Sequence, residues 1–161
     1  MKLFVMDVDG TLTDGKIYIG SGEKEFKAFN VKDGYAINEI LHTNNIKTAI
    51  VTGRKSDIVE IRARELRIDY VYQNVSDKVE TIKQMVELYD IPFEEVAYIG
   101  DDLNDFEVMK KCGITGCPSD AVDEIKNISD YVSKYKGGEG AVRDFIAVSY
   151  THLTLPTKLE V

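Results

Sequence analysis

Lys2-Leu3-Phe4-Val5-Met6-Asp7-Val8-Asp9-Gly10-Thr11 decides the fold. An apolar run ends abruptly in two aspartates spaced i, i+2, followed by a Gly-Thr turn. Such a run, bounded by a turn signal, fits a strand buried in a parallel sheet. In an open α/β sheet, ligands bind at the carboxyl ends of these strands. Asp7 and Asp9 therefore stand where chemistry is expected. Read alone, Asp-x-Asp-Gly fits a turn or a helix cap as well, because Asp favours both. The partners supplied by the rest of the chain decide between these readings.

Two further runs have the same character. Lys47-Thr48-Ala49-Ile50-Val51 ends in Thr52-Gly53-Arg54, and Val96-Ala97-Tyr98-Ile99 ends in Gly100-Asp101-Asp102-Leu103-Asn104-Asp105. Between the runs, apolar residues recur at helical spacing: Ile37, Ile40 and Leu41; Ile58, Val59, Ile61 and Leu66 after a Ser56 cap; Ile82, Met85, Val86 and Tyr89 after a Ser76 cap. Residues 69–72, 113–116 and 130–132 read as short strands, 120–127 as a short helix, and 141–148 as a closing helix with Val142, Phe145 and Ile146 inward. Strands alternating with helices predict an α/β fold, a parallel sheet with helices on both faces. Directly after the first strand, Lys16-Ile17-Tyr18-Ile19 and Glu25-Phe26-Lys27-Ala28-Phe29 flank Gly20-Ser21-Gly22 and read as a β-hairpin. Asn30-Val31-Lys32-Asp33-Gly34 reads as a loop, and Gly137-Gly138-Glu139-Gly140 as a flexible one.

The 161 residues suit one domain, assigned to residues 1–148, with 149–161 set apart as a disordered or non-native tail. A net charge of −8 argues against nucleic acid or an anionic membrane as a partner. No apolar run approaches a membrane span and nothing resembles a signal peptide. Cys112 and Cys117 match no common zinc spacing and read as reduced thiols of a cytoplasmic protein.

A parallel sheet brings Asp7/Asp9, Thr52 and Asp101/Asp102 to one rim, and Lys78, at the start of a helix, is within reach of it. This set suits phosphoryl transfer. A carboxylate can act as nucleophile and form an aspartyl-phosphate. Clustered carboxylates favour Mg²⁺, which neutralises charge between an anionic nucleophile and an anionic phosphate. Thr52 and Lys78 can hold phosphate oxygens. Asp9 can protonate the leaving oxygen and then deprotonate the hydrolytic water. Taken singly, a Gly-Asp-Asp loop also fits a helix cap, and a lysine at a helix start also fits a solvated position.

Asp7-Val8-Asp9-Gly10-Thr11, Thr52-Gly53, Lys78 and Gly100-Asp101-Asp102-x-x-Asp105 together resemble the four motifs of the haloacid-dehalogenase-like phosphatases. The resemblance implies that Asp7 is the nucleophile and Asp9 the general acid/base. It implies further that Asp7, the Asp9 backbone carbonyl and Asp101 hold Mg²⁺, that Thr52 and Lys78 bind the phosphoryl group, and that Asp102 or Asp105 supports them. Asp14-Gly15, the hairpin, Phe29 to Tyr35, Thr52-Gly53-Arg54, Arg62, Gln73, Lys78 and Gly137-Gly138-x-Gly140-Ala141-Val142-Arg143 look like the capless 3-deoxy-manno-octulosonate 8-phosphate phosphatases. That likeness implies a Rossmann-like fold without a cap domain and a phosphorylated sugar acid as substrate. It implies substrate contacts at Asn30, Val31, Lys32, Asp33, Gly34, Arg54, Arg62 and Lys78, besides Asp9, and a homotetramer associated through its hairpins. Only residues 16–33 lie between Gly15 and Gly34, which leaves no room for a cap.

One departure bears on the sugar. Glu139 stands where that family often carries Arg, as in phosphatases acting on nine-carbon nonulosonate 9-phosphates, yet Arg54 stands where the latter tend to have Glu. A nonulosonate 9-phosphate phosphatase is therefore the alternative enzyme. A non-catalytic oligomerisation module attached to a sugar-activating transferase is the alternative of another class, and the paired aspartates argue against it. Arg62 and Lys32 also fit solvated helix positions.

Overall fold

The computed structural model describes residues 1–154. Strand β1 (Leu3–Met6) is followed by a hairpin of β2 (Tyr18–Ile19) and β3 (Glu25–Phe26), joined through a 3₁₀ turn at Ser21–Glu23. Helix α1 (Val31–Ala36) continues as a π-helical segment, Ile37–His42, into β4 (Lys47–Val51). Then come α2 (Asp57–Glu65), β5 (Tyr70–Tyr72), α3 (Lys78–Leu88), β6 (Val96–Ile99), α4 (Phe106–Met109), β7 (Ile114–Cys117), α5 (Asp123–Ile128), β8 (Tyr131–Val132) and α6 (Ala141–Thr154).

The sheet runs β5-β4-β1-β6-β7-β8, with every neighbouring pair parallel. β1 is central and buried throughout, as a strand covered on both faces must be. Its side chains alternate between two cores. Phe4 and Met6 pack with Ile37 and Leu41, with Val59 and Ala63 of α2, and with Phe145 of α6. Leu3 and Val5 pack on the other face with Ile82 and Met85 of α3, Val108 of α4 and Ile125 of α5. The expected α/β architecture, a parallel sheet with helices on both faces, is present, and the expected hairpin follows β1 as a separate two-stranded sheet.

Several local expectations change. Asn30 to Gly34 is not a loop. The Asn30 side chain accepts from the Lys32 N–H at 2.8 Å and caps α1, which begins at Val31. Gly34 permits this helix to lie close to α2, because a Cβ there would run into Arg62 and Leu66. Helix α3 is capped by Asp77, which accepts from the Glu80 N–H at 3.0 Å, and not by Ser76. The glycine-rich loop is pinned: the Gly138 N–H donates to the Thr11 carbonyl at 3.2 Å, and a Cβ on Gly137 would collide with the Gly10 and Thr13 carbonyls. Helix α6 does not end at Val148. Buried Ser149 and partly buried Tyr150 extend its packed side, and the helix runs to Thr154. Of the expected tail, residues 155–161 lie outside the described residues. Among the described residues, no helix is long and apolar enough to cross a membrane.

Candidate active site

The strand order reverses at β1, with β4 on one side and β6 on the other. The register sets Met6 beside both Ile50 and Ile99, so the chain leaves all three strands at one level. This is where open α/β sheets take ligands. A pocket of about 150 Å³ opens there, lined by Asp7, Asp9 and Asp101 together with Thr52, Arg54 and Asn104.

Strand alternation gives Asp7 the face of Leu3 and Val5, which packs against α3. Helix α3 begins at Lys78, and the buried Lys78 ammonium donates to Asp7 Oδ1 at 2.9 Å and to Asp105 Oδ1 at 2.8 Å. Burial works against the Lys78 charge, but Asp7 and Asp105 outweigh it and hold the amine above its usual range. The Tyr98 hydroxyl, from β6, donates to the same Asp105 oxygen at 2.5 Å. Asp105 Oδ2 accepts the N–H groups of Asp101 at 3.0 Å and Asp102 at 3.3 Å. Asp105 thus spends one oxygen on Lys78 and Tyr98 and the other on shaping the turn that presents Asp101. Asp102 caps the 3₁₀ turn at Leu103–Asp105 and also lines the pocket, so the cap reading and the site reading both hold for it.

Asp7, Asp101 and Asp105 bring carboxylate oxygens within 4.8 Å of one another. Burial first, and the Asp105 charge next, push Asp7 up to about 6. Asp101 is pushed up too, by burial and then by Asp7. A buried carboxylate pair that resists double ionisation fits a hard divalent cation, which compensates both charges with oxygen ligands alone. Gly10 makes the approach possible: it has φ +87°, and a Cβ there would collide with the Asp101 carboxylate. The Thr11 hydroxyl donates to Asp101 Oδ1 at 3.4 Å. The Asp9 side chain is outside this cluster. Its Oδ1 accepts from Lys27 Nζ at 2.6 Å.

Asp7, Asp9, Thr52, Arg54, Lys78 and Asp101 are therefore brought together as the sequence suggested. The other expected substrate contacts are not among the residues lining this pocket. Val31 is 81% exposed. Asn30 caps α1 and donates through Nδ2 to the Gly138 carbonyl at 3.2 Å. Asp33 is buried and accepts the Arg143 N–H of α6 at 2.9 Å. Gly34 and Arg62 pack α1 against α2, with the Arg62 guanidinium over the Phe29 ring. Lys32 lines a separate hollow of about 370 Å³ with Glu139 and Arg143. Sequence reasoning missed Lys27, Tyr98 and Asn104. Period two in the hairpin, which puts Glu25 and Lys27 on one face, was the available signal for Lys27.

Comparison with known proteins agrees with this geometry. A family model of haloacid dehalogenase-like hydrolases matches residues 58–146. The 3-deoxy-D-manno-octulosonate 8-phosphate phosphatase KdsC of Escherichia coli strain K12 is 45% identical over 144 residues, 89% of this chain and 76% of that protein. The crystal structure of the Yersinia pestis 3-deoxy-D-manno-octulosonate 8-phosphate phosphatase superposes with a TM-score of 0.89 at 42% identity, covering 92% of this chain and 80% of that one. The Moraxella catarrhalis phosphatase of the same name, solved with a magnesium ion, a phosphate ion and a KDO molecule, also superposes at 0.89, with 38% identity over 92% of this chain and 84% of that one. The motif order, the strand-end geometry and these likenesses converge: the chain belongs to the haloacid dehalogenase-like hydrolases and, within them, to the 3-deoxy-D-manno-octulosonate 8-phosphate phosphatase family.

Proposed function

We propose that this chain is a Mg²⁺-dependent phosphatase that hydrolyses 3-deoxy-D-manno-octulosonate 8-phosphate to the free sugar acid and phosphate. The observation that carries the reading is the placement of Asp7 at the reversal point of the sheet, 2.9 Å from the buried Lys78 ammonium and beside Asp101. Mg²⁺ held by Asp7, Asp101 and the Asp9 backbone carbonyl would neutralise charge between the nucleophile and the phosphate. An Asp7 oxygen bonds to phosphorus as the ester P–O bond breaks, and the electron pair leaves with the sugar oxygen, which takes the proton of Asp9. Asp9, now a carboxylate, takes a proton from the water whose oxygen attacks phosphorus. The Asp7–phosphorus bond then breaks, returning the carboxylate and releasing phosphate. Lys78 and Thr52 hold phosphoryl oxygens throughout, and Arg54, on the same rim, suits the sugar carboxylate.

A homotetramer is part of the reading. The hairpin exposes Ile17, Ile19 and Phe26, with Ile19 74% exposed, and such an apolar patch on a short hairpin suits association with other copies. A neighbouring subunit would then cover the open rim and exclude water. A cytoplasmic location also belongs to the reading, since Cys112 and Cys117 are free thiols. The test is phosphate release from the eight-carbon substrate and from a nine-carbon nonulosonate 9-phosphate, with and without Mg²⁺, for wild type and Asp7→Asn. Mg²⁺-dependent release that favours the eight-carbon ester and disappears in Asp7→Asn is expected. Equal release by wild type and variant would overturn the phosphatase, and a preference for the nine-carbon ester would overturn the substrate.

A further inference from the structure

The hairpin carries a lysine that the phosphoryl-transfer steps leave without a task. Lys27 follows β3 directly and turns to the side of Glu25, while Phe26 between them is exposed. The Lys27 side chain is only 2% exposed, although it belongs to a surface hairpin. Lysine is almost never so buried unless it is paired. Its ammonium is 2.6 Å from Asp9 Oδ1 and 3.1 Å from Glu25 Oε1, and the same Glu25 oxygen is 3.4 Å from Arg54 Nη2. A chain of alternating charge therefore runs Asp9, Lys27, Glu25, Arg54, from the proton-transfer group to the guanidinium on the rim. Among the described residues, Lys27 is the side chain that holds the Asp9 carboxylate.

We propose that Lys27 is the positioning residue of Asp9: it fixes the carboxyl rotamer that meets the leaving oxygen, and Glu25 ties that rotamer to Arg54. The proposal rests on the phosphatase reading above. It gives the hairpin a second task besides association, since in a chain without a cap the hairpin itself orients the acid. Proton delivery matters only when the leaving oxygen needs a proton. A sugar alkoxide does; a nitrophenolate departs as a stable anion. A defect in Asp9 positioning must therefore depend on the leaving group, whereas a defect in folding or in phosphoryl binding must not.

The experiment measures kcat/KM for 3-deoxy-D-manno-octulosonate 8-phosphate and for p-nitrophenyl phosphate, in wild type, Lys27→Met and Lys27→Arg, each pair on one preparation. The ratio within a preparation cancels any difference in folded fraction. Lys27→Met is expected to lose about 100-fold on the sugar phosphate and less than about 3-fold on the aryl ester, within the range of general-acid contributions. Lys27→Arg, which keeps the cation, is expected to return the ratio toward that of wild type. Equal losses on the two substrates would overturn the positioning role. A wild type inert toward both would overturn the phosphatase reading and the role with it, a result distinct from an active wild type whose variant loses both alike.

Discussion

Lys78 Nζ lies 2.9 Å from Asp7 Oδ1 across 71 residues of sequence, and the contact is buried on both sides. The same ammonium serves Asp105 at 2.8 Å, so one cation answers two carboxylates. Lys78→Met would leave both buried without a counter-charge. Breaking a buried pair by removing one partner costs about 3–5 kcal/mol. For a chain of this size that corresponds to a fall in Tm of roughly 6–20 °C. A thermal melt checks it, and a change of under about 2 °C would show that the pair contributes little to stability.

Burial pushes both Asp7 and Asp101 up, helped by the Asp105 charge at Asp7 and by Asp7 at Asp101, so protons compete with any cation that binds them. Mg²⁺ is expected to raise Tm, by about 2.7 kcal/mol of added stability at a hundredfold excess over Kd. The sign with pH follows from the raised values. Below about 6 both carboxylates hold protons and the Mg²⁺ shift is small; it grows as pH rises through 6, where Asp7 ionises, and keeps growing toward 9, because Asp101 is raised further. Asp101→Asn should abolish the shift. Melts at several pH values with and without Mg²⁺ check this, and a shift that did not grow with pH would contradict it.

The legible parts of this molecule are those written as continuous runs. β1, β4 and β6 are buried on both faces, so their apolar stretches stand out, and the polar residue after each marks the rim. Asp7, Thr52 and Asp101 could be placed together for that reason. Pairings made across folded space could not. Tyr98 read as one more apolar strand residue, yet its hydroxyl reaches Asp105. Lys27 read as a hairpin residue, yet its ammonium is buried against Asp9. Asn30 to Gly34 read as a loop because Asn, Asp and Gly are turn residues; here Asn30 is a cap and Gly34 a close helix contact. The last helix reads as ending at Val148 because Ser149 to Thr157 shows no helical periodicity, yet Ser149 and Tyr150 pack and carry the helix onward.

Tyr98 tests whether the Asp105 network is structural. Tyr98 is fully buried, and its hydroxyl meets an acceptor that also serves Lys78. Tyr98→Phe keeps the ring packing and removes one bond to a charged acceptor, a change worth about 1.5–3 kcal/mol. The urea midpoint should fall accordingly, with kcat reduced less than by Lys78→Met. An unchanged midpoint would mean that Asp105 is satisfied without the hydroxyl.

Asp33 supplies the last prediction because its burial sets a sign. Its Oδ1 accepts the Arg143 N–H, but its buried Oδ2 has no hydrogen-bond partner among the described residues. Burial pushes the carboxyl up to about 6 from 3.8, against the pull of the Arg143 N–H and the Arg62 and Arg143 charges. The folded state then binds the proton more tightly than the unfolded state. Stability from this group is complete below about 4 and is lost as pH rises through 6, up to about 3 kcal/mol in all. Asp33→Asn keeps an oxygen for the Arg143 N–H and removes the ionisation. Relative to wild type, the variant should gain stability between pH 4 and pH 7 and hold that gain at pH 8. Urea midpoints at pH 4.5, 6 and 8 read the difference directly. A difference that stays constant across that range would show that the Asp33 carboxylate ionises as easily in the folded chain as in water, and the burial argument would fail with it.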